Sequence, residues 1–385
     1  MKNFLYIANR YDAHPAGGTQ IARSHYKILC SIAAEGTVIS LLGKDKEERP
    51  EPGKISVRAW RSRLSSAVGA VTGKRTYMAH YCAEAENDIL RIVREGSYDF
   101  IWFDDCIYGS TIRKIKQFRP EIPVFVFYHI VMPGSLREVL RQNRRKIRGV
   151  LGLLKYANFI RQQKLSALHA DVNVLLNERD SATFTKIYGQ RNQLMFPACF
   201  ADTANIEPAE KISGEFNMFF VGLGGHDPNI EGIRWFAREV MPAIRPEAKL
   251  SVVGTNMDKN LKDAPEIKDN PRITVKGRVE SLDPYYNSAD VVIVPIFSGA
   301  GMMTKVAEAL MYGKNILATG HALNGYDGLE KCRCDTAEDF IARINSMIET
   351  GSQRYNPAMR KIYEEKYSLP AMENILREYL REKGI

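Results

Sequence analysis

The sequence predicts two tandem α/β domains, each a parallel sheet covered by helices. Three observations carry this expectation. Short apolar, strand-like runs alternate with helical patterns almost throughout. The alternation pauses once, from Pro197 to Gly214, where there are two prolines and few large apolar residues. At 385 residues the chain is also too long for one ordinary core.

In the first half, strands are expected at Asn3–Ala8, Thr37–Leu42, Ile55–Trp60, Phe100–Phe103, Val124–His129, Val172–Leu176 and Leu194–Phe196. Helices are expected at Gly18–Ala33, Tyr77–Arg94, Leu136–Ala167 and Glu178–Tyr188. After the linker a strand at Met218–Gly222 leads to a helix from Asn229 to Ile244. On it Ile230, Ile233, Ala237, Val240 and Ile244 repeat every three or four residues. Strands follow at Lys249–Gly254, Ile273–Lys276, Val291–Pro295 and Ile316–Thr319. The chain ends in helices at Asp335–Thr350, Pro357–Lys366 and Leu369–Lys383.

Composition narrows the class. The chain is 45% hydrophobic and 26% charged, and no apolar run approaches the ~20 residues that span a bilayer. The first residues read as a strand and not as a signal peptide, because no small-residue cleavage signal follows. Six scattered cysteines suit a reducing cytosol better than a disulfide framework. Cys332 and Cys334, two thiols at i, i+2, are a weak zinc signal without a second ligand pair. Nearly all of the net charge of +9 falls between Gly134 and Lys164, where nine Lys or Arg face one acid, Glu138. Arg58 to Arg75 adds five basic residues and no acid. Such patches favour anionic partners. In Leu136–Lys164 the residues Leu140, Val150, Leu151, Leu154 and Ile160 intersperse apolar contacts, so the segment reads either as a dock for an anionic membrane or as a long helix with a solvated basic face.

The block Val291–Leu310 reads as strand, glycine-containing loop and helix. Gly299 and Gly301 let backbone approach a ligand closely. Helix N–H groups near Met302 and Met303 point at and favour an anion. Thr304 adds a hydroxyl, Lys305 a positive charge, and Glu308 lies one turn further on. An ordinary strand–loop–helix crossover with solvated Lys and Glu is the plain alternative.

This block resembles the donor-binding motif of family 4 retaining glycosyltransferases, in which a Glu-x7-Glu pair flanks a Gly-rich loop. Glu308 falls on the second, ribose-binding glutamate, and Ala300 occupies the position of the first. Lys305 to Ala309 fits a glycine-rich variant ending in Lys-Val-x-Glu-Ala. The likeness covers roughly Phe219 to Thr319. Phe220-Val221-Gly222 followed by Asp227-Pro228-Asn229 is similar to the family's opening strand and loop, with Gly222 giving the phosphates room. The Arg and Lys that often follow this strand are missing, which leaves Lys305, helped by Arg278, as the source of positive charge. Ile273–Val279 is similar to the base-binding strand, and the role carries over to Gly277, Arg278 and Val279.

In the first half, Pro15–Thr19 contains a glycine pair opening a helix. Gly18 either faces the donor phosphate or acceptor, or belongs to a plain turn and cap. Val124–His129 looks like the family's strand ending in a histidine at the reaction centre, and His129 is also open to a structural reading. Asp104 and Asp105 end the neighbouring strand, where they orient acceptor hydroxyls or cap the following helix.

The resemblance implies the GT-B layout, two Rossmann-like domains facing across a cleft. Residues 1–198 would bind the acceptor and 199–366 the nucleotide-sugar donor, with a last helix, 367–385, packing back on the first domain. It also implies transfer of a sugar from a nucleotide-diphosphate sugar, UDP first, to a glycan or lipid-linked acceptor in bacterial surface polysaccharide or glycoconjugate synthesis, with retention. His129, Lys305 and Glu308 are the expected catalytic residues. No metal or other cofactor is expected, because helix N–H groups and Lys305 neutralise the departing diphosphate. The expected place is the cytoplasm, peripheral on the inner face of the membrane, and nucleic acid is not expected as a partner. A non-catalytic nucleotide-sugar-binding scaffold and a nucleotide-sugar epimerase are the competing readings.

Overall fold

The computed structural model describes residues 3–9, 11, 17–42, 53–58, 68–73, 83–135, 137, 149–207, 210, 214–299 and 301–385. The chain divides into two units. The first comprises Met1–Cys199 with Met372–Ile385, the second Phe200–Ala371.

The first unit is a seven-stranded sheet, every pairing parallel, in the order β3-β2-β1-β4-β5-β6-β7. Its strands are β1 (Asn3–Ala8), β2 (Glu35–Leu42), β3 (Lys54–Arg58), β4 (Phe100–Phe103), β5 (Val124–Tyr128), β6 (Val172–Leu175) and β7 (Gln193–Met195). Helices α1 (Gly17–Ile32), α2 (Ala83–Glu95), α3 (Gly109–Phe118), α4 (Gly149–His169) and α5 (Glu178–Tyr188) alternate with them. The central strands are apolar on both faces because both faces are covered. Leu5, Ile7, Ile101, Phe103, Val124, Val126 and Tyr128 pack with Ile89, Val93, Ile112, Ile115 and Phe159 from α2, α3 and α4. On the other face Phe4 stacks on Phe100 and Trp102 on Phe125. The strand order reverses between β1 and β4, so their carboxyl ends flank the crevice where such sheets take ligands.

The second unit is a five-stranded parallel sheet, order β10-β9-β8-β11-β12. Its strands are β8 (Phe216–Val221), β9 (Ala248–Val253), β10 (Ile273–Lys276), β11 (Val291–Val294) and β12 (Ile316–Ala318). Its helices are α6 (Asp227–Glu239), α7 (Met257–Leu261), α8 (Pro265–Lys268), α9 (Asp283–Ser288), α10 (Thr304–Met311), α11 (Ala337–Thr350) and α12 (Pro357–Lys366). Here the order reverses between β8 and β11. Helix α13 (Leu369–Lys383) begins in this unit, and its later part belongs to the first. There Tyr379 Oη donates to Asn192 Oδ1 at 2.9 Å and Arg377 reaches the Ser31 carbonyl at 2.6 Å.

The described part of the helix expected at Leu136–Ala167 starts at Gly149; residues 136 and 138–148, with Leu140, lie outside the described residues. Arg161 and Lys164 on it are exposed, while four of its uncharged polar side chains turn inward. Asn158, Gln162, Gln163 and Ser166 are buried and bond the Ala70 carbonyl, the Ser110 N–H, the Met132 N–H and the Cys106 carbonyl. Ile160 is half-buried, with part of its side chain packed against the core. Val150 (73% exposed) and Leu154 (38%) do face outward. Among the described residues no helix is long and apolar enough to cross a membrane. Cys332 and Cys334 are buried, and among the described residues no group of three His, Cys, Asp or Glu is placed to hold a metal.

Candidate functional site

Three adjacent strands of the second sheet each run into a glycine: Val221-Gly222, Val253-Gly254 and Lys276-Gly277. The Gly254 N–H is shared between the Lys276 and Gly277 carbonyls, 3.2 Å from each. Its φ is +147°, and a Cβ there would lie 1.8 Å from the Gly222 carbonyl oxygen, so no side chain fits. Gly277 lies beside the Asp258 carboxylate. Arg278 is exposed and Val279 half-buried, in the segment after β10.

Beside this row, β11 leads through Gly299 (φ +131°) and Gly301 (φ +77°) into α10. Met302 and Met303 turn inward, 8% and 9% exposed. Tyr326 Oη holds the Met303 carbonyl at 2.8 Å. Met303 is the N-cap of α10 and its side chain makes no capping bond. Helix N–H groups at Thr304 and Lys305 therefore have no side-chain cap, the condition under which a helix start attracts an anion. Ala300 lies outside the described residues.

Lys305 is not solvated. It is 7% exposed. Its Nζ donates to Asn229 Oδ1 at 2.6 Å and sits 4.2 Å from the centre of the Phe220 ring. A Cβ added at Gly222 would come within 3.0 Å of that nitrogen. Burial pulls the amine down to about 7, against an upward pull from Glu308. Glu308 is shifted the opposite way: burial raises its pKa, opposed by a hydrogen bond from Tyr286 and by Lys305. Tyr286 Oη donates to Glu308 Oε2 at 3.2 Å, and its ring stacks on Tyr312 at 4.1 Å. Tyr312 in turn bonds Asp283. Gly222, Gly299, Gly301, Met302, Met303, Thr304, Lys305 and Glu308 thus meet at the reversal point of one sheet. Asn229, Gly254 and Tyr286 complete the arrangement; the sequence motifs contain Asn229 and Tyr286 but assign neither a role of its own, and Gly254 reads there only as a strand end.

In the first unit, Gly18 lies in the first turn of α1. Asp104 follows β4 and is 3% exposed. Its Oδ1 is 2.7 Å from His25 Nδ1 and its Oδ2 3.3 Å from His129 Nε2. Burial alone would raise its pKa. Bonds from His129 and His25, with their charge, outweigh that and hold the carboxyl far below the usual range. An ionised carboxylate only accepts, so both imidazoles donate to it. His25, on α1, is 1% exposed and packs on Phe127; its Nε2 has no hydrogen-bond partner among the described residues. Asp105 is 2% exposed and occupies the N-cap position before the turn Cys106–Tyr108 without a side-chain capping bond, which corrects the capping alternative. His129 remains 12% exposed at its side chain. The sequence held one signal for His25: a histidine on the helix after β1, facing strands that end in acid and histidine.

Residues 215–350 match the family model described as glycosyl transferases group 1. No curated protein matches the chain. Among solved structures, HepE of Anabaena, in complex with UDP and glucose, is 12% identical, with 99% of this chain and 100% of that one covered and a TM-score of 0.63. WaaB, a lipopolysaccharide outer core galactosyltransferase in its apo form, is 12% identical over 99% of each chain, TM-score 0.63. A variant of S. aureus TarM, solved with fondaparinux, α-GlcNAc-glycerol and UDP, is 10% identical over 99% of each chain, TM-score 0.65. At these identities the likeness shows the fold. Residues 215–350 are thus similar to a glycosyl transferases group 1 domain, in a chain whose two parallel α/β units have the fold of GT-B glycosyltransferases.

Proposed function

We propose that the chain transfers a sugar from a nucleotide-diphosphate sugar, with UDP as the first candidate, to a glycan or lipid-linked acceptor with retention of anomeric configuration. The observation that carries this reading is the buried Lys305 amine beside Gly222, at the uncapped start of α10, with Glu308 one turn away. A diphosphate needs charge and room. Lys305 and the helix N–H groups supply the first, and Gly222 with Gly254 leaves the second. Glu308, held by Tyr286, suits the two hydroxyls of a ribose. Gly277, Arg278 and Val279 suit the edge of the base. UDP is favoured because structures of HepE and TarM hold it.

In the reaction, the anomeric C–O bond to the diphosphate breaks and its electron pair leaves with the nucleotide. The acceptor oxygen bonds to the anomeric carbon on the same face, and its proton passes to the departing phosphate oxygen. Stabilisation of that oxygen by Lys305 and helix N–H groups is the main catalytic term and needs no bound metal. His129, with Asp104 behind it, and Asp105 are assigned to the acceptor side. Alanine at Lys305 or Glu308 is expected to lower turnover at least about a hundredfold; near-normal turnover in both would remove the assignment. Turnover unchanged by a chelator is the outcome expected of a metal-free site.

The exposed Val150 and Leu154 beside a basic segment support peripheral docking on an anionic membrane at the cytoplasmic face, where a lipid-linked surface-polysaccharide precursor would be met. Co-flotation with vesicles containing anionic lipid, and not with neutral ones, is the expected result. Equal behaviour in both would contradict it.

A further inference from the structure

Lys305 is held by a neutral partner, and that choice has consequences. Asn229 is the third residue of α6, after Pro228, and is 6% exposed. Its backbone N–H is bound to the His226 carbonyl at 2.9 Å. Its Nδ2 donates to the Leu223 carbonyl at 2.9 Å. That bond fixes which way the carboxamide faces, because an amide nitrogen donates and only its oxygen accepts. Oδ1 is thereby turned to Lys305 Nζ at 2.6 Å. The amide also stands against Gly222, where an added Cβ would meet Asn229 Nδ2 at 2.8 Å and Lys305 Nζ at 3.0 Å. One side chain from α6 thus locks the end of a lysine from α10 at the glycine that ends β8.

We infer that Asn229 is a positioning residue for the nucleotide site: its carboxamide parks the Lys305 amine at Gly222 and sets the pH range over which the site accepts a nucleoside diphosphate. This rests on the reading of residues 299–308 as a diphosphate site. The groups around the amine support it. The charge acting on it is Glu308, on its own helix. Strand β8 presents the Phe220 ring and α6 a neutral amide. The titratable residues beside Asn229 in sequence, His226 and Asp227, are exposed. With a carboxylate in place of the amide, the lysine would stay charged, and its charge would already be matched. With an amide, a buried amine gives up its proton near neutrality and regains it when an anion arrives. The amide therefore leaves the full attraction of the ammonium for the incoming diphosphate.

The test is calorimetric titration of the full chain with UDP between pH 5.5 and 9, in wild type, Asn229→Asp, Asn229→Ala and Lys305→Met. Differences between variants cancel the ionisation of UDP itself. Wild type is expected to lose affinity as pH rises through about 7, approaching tenfold per unit, the limit for one coupled proton. Asn229→Asp is expected to move that midpoint up by about one unit or more and to weaken binding at pH 6 about tenfold, because the carboxylate competes with the diphosphate. Asn229→Ala is expected to weaken binding about fivefold at pH 6 by freeing the amine. Lys305→Met is expected to bind weakly and without the lysine-dependent limb. If both Asn229 variants melt normally and keep the wild-type affinity and midpoint while Lys305→Met loses binding, the positioning role is wrong and the donor site stands. If Lys305→Met binds UDP as wild type does, the donor-site reading itself falls.

Discussion

The two sheets use the same geometric position, the carboxyl ends of strands where the order reverses, to bury opposite charges. In the first unit the buried charge is an anion, Asp104, flanked by two imidazoles. In the second it is a cation, Lys305, in contact with an amide and a ring face, its opposing charge Glu308 one helical turn away. The first arrangement compensates its charge within the fold, and the carboxyl is pushed deep into its ionised form. The second leaves its charge under-compensated, and the amine is pushed towards neutrality. A charge matched internally supports the fold and orients a neighbour. A charge left unmatched is available to a ligand, at a cost in stability.

The contrast yields predictions of opposite sign. Removing Asp104 as Asp104→Ala is expected to destabilise the first unit by about 3 kcal/mol at pH 7, since the buried His25 and the largely buried His129 lose their acceptor. Hydrogen exchange at β4 and β5 measures it, and protection unchanged from wild type would contradict it. Because the folded pKa of Asp104 is depressed, its contribution is complete above the unfolded carboxylate value of about 3.9 and is lost as pH falls below that. Lys305→Met is expected to do the reverse and stabilise the second unit, on the order of 2 kcal/mol, while removing donor binding. A lysine lowered to about 7 penalises the fold most below that pH, and the penalty fades as pH rises towards 10.5. The gain from Lys305→Met should therefore shrink from pH 6 to pH 10 in urea unfolding; a loss of stability at pH 6 would contradict it.

Smaller effects sharpen the same comparison. His25→Ala is expected to lower turnover about tenfold, roughly 1.4 kcal/mol, with UDP affinity unchanged, because it loosens Asp104 behind His129 and leaves the second unit intact. Weakened UDP binding in that variant would contradict the separation. Tyr286→Phe removes one hydrogen bond to Glu308 and is expected to raise the donor KM about fivefold, near 1 kcal/mol, with kcat little changed. A change in kcat alone would point away from ribose binding.

The second unit was more legible in the sequence than the first, for a physical reason. Its site is built largely from contiguous chain: residues 299–308 carry the loop glycines, the helix start, the lysine and the glutamate. Strand ends were legible to within a residue or two, because buried parallel strands are short apolar runs. What escaped notice depends on distance along the chain. His25 and Asp104 are separated by 79 positions and Asn229 and Lys305 by 76, so only the folded sheets bring them together. A helix after β4 was expected without bounds, and it opens at Gly109. In the fold that glycine lets α3 lie against α4, where a Cβ would meet the Gln162 carbonyl at 2.1 Å. The buried Asn158, Gln162, Gln163 and Ser166 of α4 were not legible, because their hydrogen bonds to remote backbone groups leave no periodic trace.

The central claim is that the chain binds a diphosphate where Gly222, Lys305 and the start of α10 meet. A crystal structure of the full chain with UDP tests it most directly. The account predicts a phosphate oxygen within hydrogen-bond distance of Lys305 Nζ, with the ribose hydroxyls on Glu308. UDP seated elsewhere in the second unit, with the Lys305–Asn229 contact undisturbed and no phosphate beside it, would contradict it.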